Sequence, residues 1–246
     1  MQIIELFLPA LILIFLLVYI HAIFGIEIIK RGVIFTDLAI GQISAIGIAI
    51  SVVFFDGGFQ SAFVFIFALI GALLITYATQ KIEHIEAFIG MLYALGASTI
   101  MMILANTPDA MELFSKLSAT DILFTSTDEV YKSATLYLFI SIIMFKLYPR
   151  TSGLIKELIF FVSLAMVVTS SVQSAGVLVV FTLLVSPAFI ALHQKRFKPL
   201  FFAWSFGITL SILAIIISYN FDLPTGYSIV FVMSFASVLS MFKRDN

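Results

Sequence analysis

Asp37 is an acid within a stretch that carries no other charge, Phe35-Thr36-Asp37-Leu38-Ala39-Ile40-Gly41-Gln42-Ile43-Ser44. A carboxylate among apolar residues is costly, and a passing cation would lower that cost. Asp37 therefore reads as a candidate point on a path for a cation. The plainer reading is an acid in the first turn of a helix, where the backbone dipole favours an anion. Lys30 and Arg31 are close enough in sequence to pair with it. Gly41, Ser44 and Gly47 follow at spacings that let a second helix approach closely. Gln42 stands off that face, roughly 140° from Asp37 in regular geometry, where it could line a path or bond a neighbour.

The three histidines, His21, His84 and His193, are too scattered to form a metal cluster. His21 lies in the first apolar run and reads as a satisfied polar residue. His84 falls in a loop and His193 at a membrane face. Ser170, Ser171 and Gln173 form a polar patch that could meet an incoming solute or simply make a turn. There is no cysteine, hence no thiolate metal site and no disulfide. No GxxxxGK[ST], GxSxG or HExxH pattern occurs, so the chain has no phosphate-binding loop and none of the common hydrolase signatures.

The elements that must hold these residues are membrane helices. Of 246 residues, 62% are hydrophobic and 11% charged, and the mean hydropathy is +1.17. A soluble domain of this length cannot hide so much apolar surface. The net charge of -1 argues against a nucleic-acid partner. Uncharged runs predict spans at Leu6–Ile26, Val33–Phe55, Phe59–Gln80, Ala87–Asn106, Tyr131–Tyr148, Pro199–Phe221 and Thr225–Phe242. The run Leu158–Gln194 is long enough for two more, turning at Thr169–Ser174. The expectation is an all-α, single-domain chain over 1–246 with about nine spans. Residues 1–26 read as the first span, since no basic segment precedes the apolar run and no small-residue cleavage site follows it.

Charge placement orients the chain. With the C-terminus inside, Lys30, Arg31, Lys81, Lys146, Arg150, Lys156, Lys195, Arg196, Lys198, Lys243 and Arg244 all fall inside. Only Lys116 and Lys132 fall outside, while the outer segment Thr107–Glu129 collects Asp109, Glu112, Asp121, Asp128 and Glu129. The N-terminus is then outside. Ala110–Thr125 could add an interfacial or re-entrant helix.

Ser174–Lys198 runs apolar to Ser186-Pro187 and leaves through Lys195, Arg196 and Lys198. Proline removes a backbone donor and usually kinks or ends a helix. The expectation is a span that bends and then lies along the inner face as a short helix, placed to receive force from a soluble partner. An ordinary span with a proline near its exit is the alternative. Asp222-Leu223-Pro224-Thr225-Gly226 is a sharp turn with ordinary turn residues.

Taken together, these motifs resemble the membrane permeases of the zinc, manganese and iron-chelate class of ABC importers. The likeness covers most of the chain. It includes Lys30-Arg31-Gly32-Val33-Ile34-Phe35-Thr36-Asp37, Glu86-Ala87-Phe88-Ile89-Gly90-Met91-Leu92-Tyr93-Ala94, Asp121-Ile122-Leu123-Phe124, Gly176–Ala191 and the Asp222–Gly226 turn. The resemblance implies the vitamin B12/metal-chelate importer permease fold in a bacterial plasma membrane. It implies a homodimer sharing one path, two ATP-binding subunits inside and a substrate-binding protein outside. It implies no permanently bound cofactor and no ATP hydrolysis by this chain, only a transported metal ion or chelate. Asp37, Gln42 and Ser44 would lie on the path. Pro187, Ala188, Ala191, Lys195 and Arg196 would couple to the ATPase, and Asp222, Pro224, Thr225 and Gly226 would form the outer turn. Metal-carrying members commonly place a histidine four residues after the acid, whereas Gly41 stands there in this chain. A siderophore or corrinoid as cargo, or an intramembrane enzyme or scaffold, are the competing readings.

Overall fold

The computed structural model describes residues 2–105, 112 and 122–242, apart from the side chains of 2–7, 124 and 241. Asp109, Lys116, Asp121, Lys243, Arg244 and most of the Ala110–Thr125 segment lie outside the described residues. Among the described residues there are nine long helices and no strand. They are α1 Gln2–Arg31, α2 Thr36–Phe55, α3 Gln60–Lys81, α4 Ile85–Leu104 and α5 Thr127–Ile142, then α6 Gly153–Ala175, α7 Val177–His193, α8 Pro199–Phe221 and α9 Thr225–Phe242. Seven are long and apolar enough to cross a membrane, α5 when counted with the helical turns that continue it to Arg150, and α7 and α9 are shorter apolar helices. Helices are the form an open chain takes in lipid, because they satisfy their own backbone groups.

The helices sort into two compact units. One contains Val33–Leu117 and Leu138–Val172. Here α2 packs against α3 and α4, and small residues permit the approach. A Cβ on Gly47 would stand 2.6 Å from the Phe63 carbonyl oxygen, and one on Gly96 2.8 Å from the Gln42 Cβ. Phe35 meets Glu86 and Gln42 meets Gly96, so α2 and α4 run in the same direction with α3 returning between them in sequence. The other unit contains Met1–Gly32, Ser118–Tyr137 and Gln173–Asn246. Here α1 packs on α7 and α8, and α9 on α7 and α8. The Trp204 indole N–H donates to the Tyr19 carbonyl at 3.0 Å, and the two rings stack with centroids 5.2 Å apart.

Four boundaries differ from the sequence expectation, each for a local reason. The turn expected at Thr169–Ser174 is helical: α6 runs to Ala175, and the chain turns at Gly176 with φ +83°. The Ser171 hydroxyl donates to the Val167 carbonyl at 2.7 Å, so a hydroxyl-rich run satisfies itself within the helix. Glycine supplies the positive φ that the turn requires. No break occurs at Ser186-Pro187: α7 continues to His193, and 194–198 is a loop. Helix α5 starts before Tyr131 because Ser126 and Glu129 form a reciprocal cap. The Ser126 N–H donates to Glu129 Oε2 at 2.9 Å, and the Glu129 N–H to Ser126 Oγ at 3.3 Å. At its far end α5 widens into a π turn over Ile143–Leu147 and a 3-10 turn over Tyr148–Arg150. Pro149 has no N–H for the Phe145 carbonyl, which forces that change of pitch.

Candidate functional site

Asp37 occupies the first turn of α2. The chain reaches it through a tight bend in which the Thr36 hydroxyl donates to the Val33 carbonyl at 2.7 Å. The N-cap residue, Phe35, offers no side-chain cap of its own. The Asp37 side chain is only 2% exposed, and its Oδ1 has no hydrogen-bond partner among the described residues. Lys30 pairs with Glu27 at 3.9 Å.

Asp37, Gly41 and Ser44 lie one turn apart on one face of α2. Gly41 faces Val172 of α6, with room for a methyl at 3.9 Å. Ser44 is buried, with its hydroxyl 3.4 Å from the Val64 carbonyl and 3.5 Å from the Thr169 hydroxyl. It stitches α2 to α3 and α6. Gln42 points the other way, its stem against Gly96 of α4. Asp37, Gly41 and Ser44 therefore share a stripe that excludes Gln42.

Sequence reasoning passed over Glu86 except as part of a motif. Its Oε1 accepts the Phe35 N–H at 3.2 Å, so the first turn of α4 holds the start of α2 two residues from Asp37. Its Oε2 is buried without a hydrogen-bond partner. The signal was available as an acid preceding an apolar run in a second span.

His21 is fully buried in α1, with Nδ1 2.8 Å from the Leu17 carbonyl and Nε2 without a hydrogen-bond partner. His84 is exposed at the start of α4. His193 bonds the Phe189 carbonyl at 2.8 Å from the last turn of α7. Among the described residues no three acids or histidines gather as metal ligands.

In the second unit, Pro187, Ala188 and Ala191 are buried within α7. A Cβ on Gly207 would come 3.2 Å from Pro187 Cγ, and Ala191 packs with Ala22 and Ala203. Their side chains serve helix packing. The exposed surface is Lys195, Arg196, Phe197 and Lys198. Gln194, which sequence reasoning missed, ties this loop together. Its Nε2 donates to the carbonyls of Ala191 at 3.2 Å and Phe197 at 2.7 Å. Its Oε1 accepts the N–H groups of Arg196 at 2.9 Å and Phe197 at 2.8 Å. The Arg196 guanidinium sits 5.7 Å from the Phe197 ring centre. The result is an ordered basic and aromatic knob.

The turn after α8 is wired as a helix-to-helix joint. Asp222 takes φ +51°, and the Leu223 N–H reaches back to the Ser218 carbonyl at 3.0 Å. The Ser218 hydroxyl bonds the Leu223 carbonyl at 2.6 Å and the Thr225 hydroxyl at 2.8 Å. Pro224 is exposed, while Thr225 and Gly226 are buried.

A model of the ABC 3 transport family matches residues 3–244. The high-affinity zinc uptake system membrane protein ZnuB of Haemophilus influenzae is 24% identical over 260 residues, covering 98% of each chain. An uncharacterized membrane protein of Synechocystis is 26% identical over 199 residues, 73% of this chain and 71% of that one. Among solved structures, PsaBC from Streptococcus pneumoniae in complex with Fab contains a chain that superposes with a TM-score of 0.75. Its identity is 22%, over 97% of this chain and 91% of that chain. That likeness shows the fold expected from the sequence.

Proposed function

Because the chain belongs to the ABC 3 transport family, we propose that it is the membrane-spanning permease subunit of an importer for a metal ion or metal chelate. Two copies would share one path, a separate ATP-binding subunit would drive it, and an extracytoplasmic binding protein would deliver the cargo. The observation that carries the cargo class is Asp37, a buried carboxylate oxygen without a hydrogen-bond partner inside a membrane helix. Such an acid marks an ion path by default. The zinc uptake named for the Haemophilus influenzae relative supports a metal as cargo. The test is ATP-dependent cation uptake by vesicles holding this chain with the ATPase and binding protein encoded beside it. Uptake only in the presence of all three is expected, and uptake of none of zinc, manganese or iron would overturn the reading.

The ATPase would dock on the loop at 194–198. Gln194→Ala removes the side chain that makes four of the loop's hydrogen bonds. At about 1 kcal/mol net per bond, loss of order in even one or two of them should weaken ATPase co-purification about tenfold. Insertion and folding should be unchanged. Full co-purification and transport by this variant would move the contact elsewhere.

The charge asymmetry supports an outside N-terminus and an inside C-terminus. Leu223 and Lys195 are both exposed, and the chain has no other cysteine. Leu223→Cys should react with an impermeant maleimide from outside intact cells and Lys195→Cys should not. The reverse pattern would invert the topology.

A further inference from the structure

The joint between α5 and α6 carries three bases on one short, ordered segment. Lys146 lies in the π turn and Arg150 in the 3-10 turn that end α5, and Lys156 lies in the first turn of α6. Local contacts gather them. The Arg150 guanidinium donates to the Lys146 carbonyl. The Lys156 ammonium sits 4.9 Å from the centre of the Tyr148 ring. The Thr151 N–H and hydroxyl both return to the Tyr148 carbonyl, at 3.3 Å and 3.0 Å. Gly153 takes φ +58°, which lets the chain turn sharply into α6. Against the three bases, Glu157 is the one acid in 143–157. Like charges held on one turn repel, and an anion between them relieves that repulsion. The flanks of the joint are apolar: Phe145, Leu147, Leu154 and Ile155 are exposed. They continue the exposed apolar side of α5 at Leu138 and Ile142. The span that includes α5 ends at Arg150, so the bases stand at the edge of an apolar band, where a bilayer places its headgroups. A soluble anion would engage the bases and leave the apolar flanks in water, whereas a phospholipid engages both.

We propose that the α5–α6 joint is a binding site for an anionic phospholipid, with Arg150 and Lys156 on the headgroup phosphate, Lys146 adding charge, and the exposed leucines and isoleucine along the acyl chains. The site goes beyond the permease reading and does not depend on it. One arm of the Arg150 guanidinium is spent on the Lys146 carbonyl, and its remaining N–H groups serve phosphate oxygens. The bound lipid pins the joint at the headgroup layer and makes the α5–α6 pair sensitive to the charge of the bilayer around it.

The test offers the purified full chain equal amounts of phosphatidylglycerol and phosphatidylcholine and reads the retained lipid by native mass spectrometry. The wild type should retain phosphatidylglycerol in preference. A base near an anionic lipid surface is worth about fivefold in affinity. Arg150→Gln and Lys156→Gln should therefore each lower the preference about fivefold, and the double variant about 25-fold. Lys81→Gln removes a charge from the exposed end of α3 and should leave the preference intact. An equal loss in Lys81→Gln would reduce the effect to a diffuse attraction between positive charge and anionic lipid, and overturns the site. Arg150→Lys keeps the charge and gives up the guanidinium, and it should hold most of the preference. The same loss in Arg150→Lys as in Arg150→Gln would make Arg150 a brace for the turn and overturns its assignment to the headgroup. Should Arg150→Gln prove unstable, Lys156→Gln decides, and an unchanged preference in it overturns the proposal. Inorganic phosphate should not displace the lipid, and displacement at equal concentration would assign a soluble anion instead. An unchanged lipid preference in the double variant together with lost ATPase co-purification would make this face a protein-docking surface and overturns the lipid.

Discussion

Asp37→Asn is expected to cut metal uptake by at least about tenfold, the scale on which single groups tune metal sites, with the chain's membrane level and its ATPase contact near normal. Asparagine keeps the shape and loses the charge. The side chain is buried, and its Oδ1 has no hydrogen-bond partner to lose, so the substitution removes little that holds the helix. What it removes is the attraction for a cation. His21→Ala is the contrast: Nδ1 is already committed to the Leu17 carbonyl, and uptake should change little. The measurement is initial-rate uptake normalised to immunoblotted protein. Uptake at the wild-type rate in Asp37→Asn would reduce the residue to an acid favoured by the helix dipole.

The second large effect is structural. A Cβ on Gly25 would stand 1.9 Å from the Leu184 carbonyl oxygen and 3.0 Å from Ala188 Cβ. The obstruction is backbone in a packed helix, so the neighbour cannot turn aside. Gly25→Ala must push α1 off α7, at a cost of roughly 3 kcal/mol or more, the upper range for overpacked cores. The expected readout is a large loss of folded protein on heating in detergent. Gly41→Ala is the control, because its methyl would meet Val172 at an ordinary 3.9 Å. Equal stability of both variants would show that α1 and α7 are not held this tightly.

The span pattern was legible because uncharged runs of about 20 residues have few other uses. Asp37 was legible for the same reason, as a charge where none is expected. What escaped notice was hydrogen bonding that has no periodic signature. The run Thr169–Ser174 looked like a turn because polar residues mark turns, yet Ser171 spends its hydroxyl on its own helix. Pro187 looked like a break, yet α7 continues through it, and neighbouring Ser186 donates to the Met233 carbonyl of α9 at 2.8 Å. Glu86 is 51 residues from Phe35 in sequence, a pairing that only the parallel packing of α2 and α4 creates. Gln194 carries no charge and sits beside three basic residues, which drew the attention instead.

The Gln194 loop has a thermodynamic consequence for any partner that binds it. A flexible loop would lose backbone freedom on docking, at roughly 1–2 kcal/mol for each residue fixed. Here Arg196 and Phe197 are already held at their amides by one side chain, so much of that entropy was surrendered during folding. A preorganised knob can then recognise its partner through modest contacts and still release it quickly. It also has little slack, so a push on Phe197 reaches α7 through the Gln194–Ala191 bond rather than being absorbed by a yielding loop.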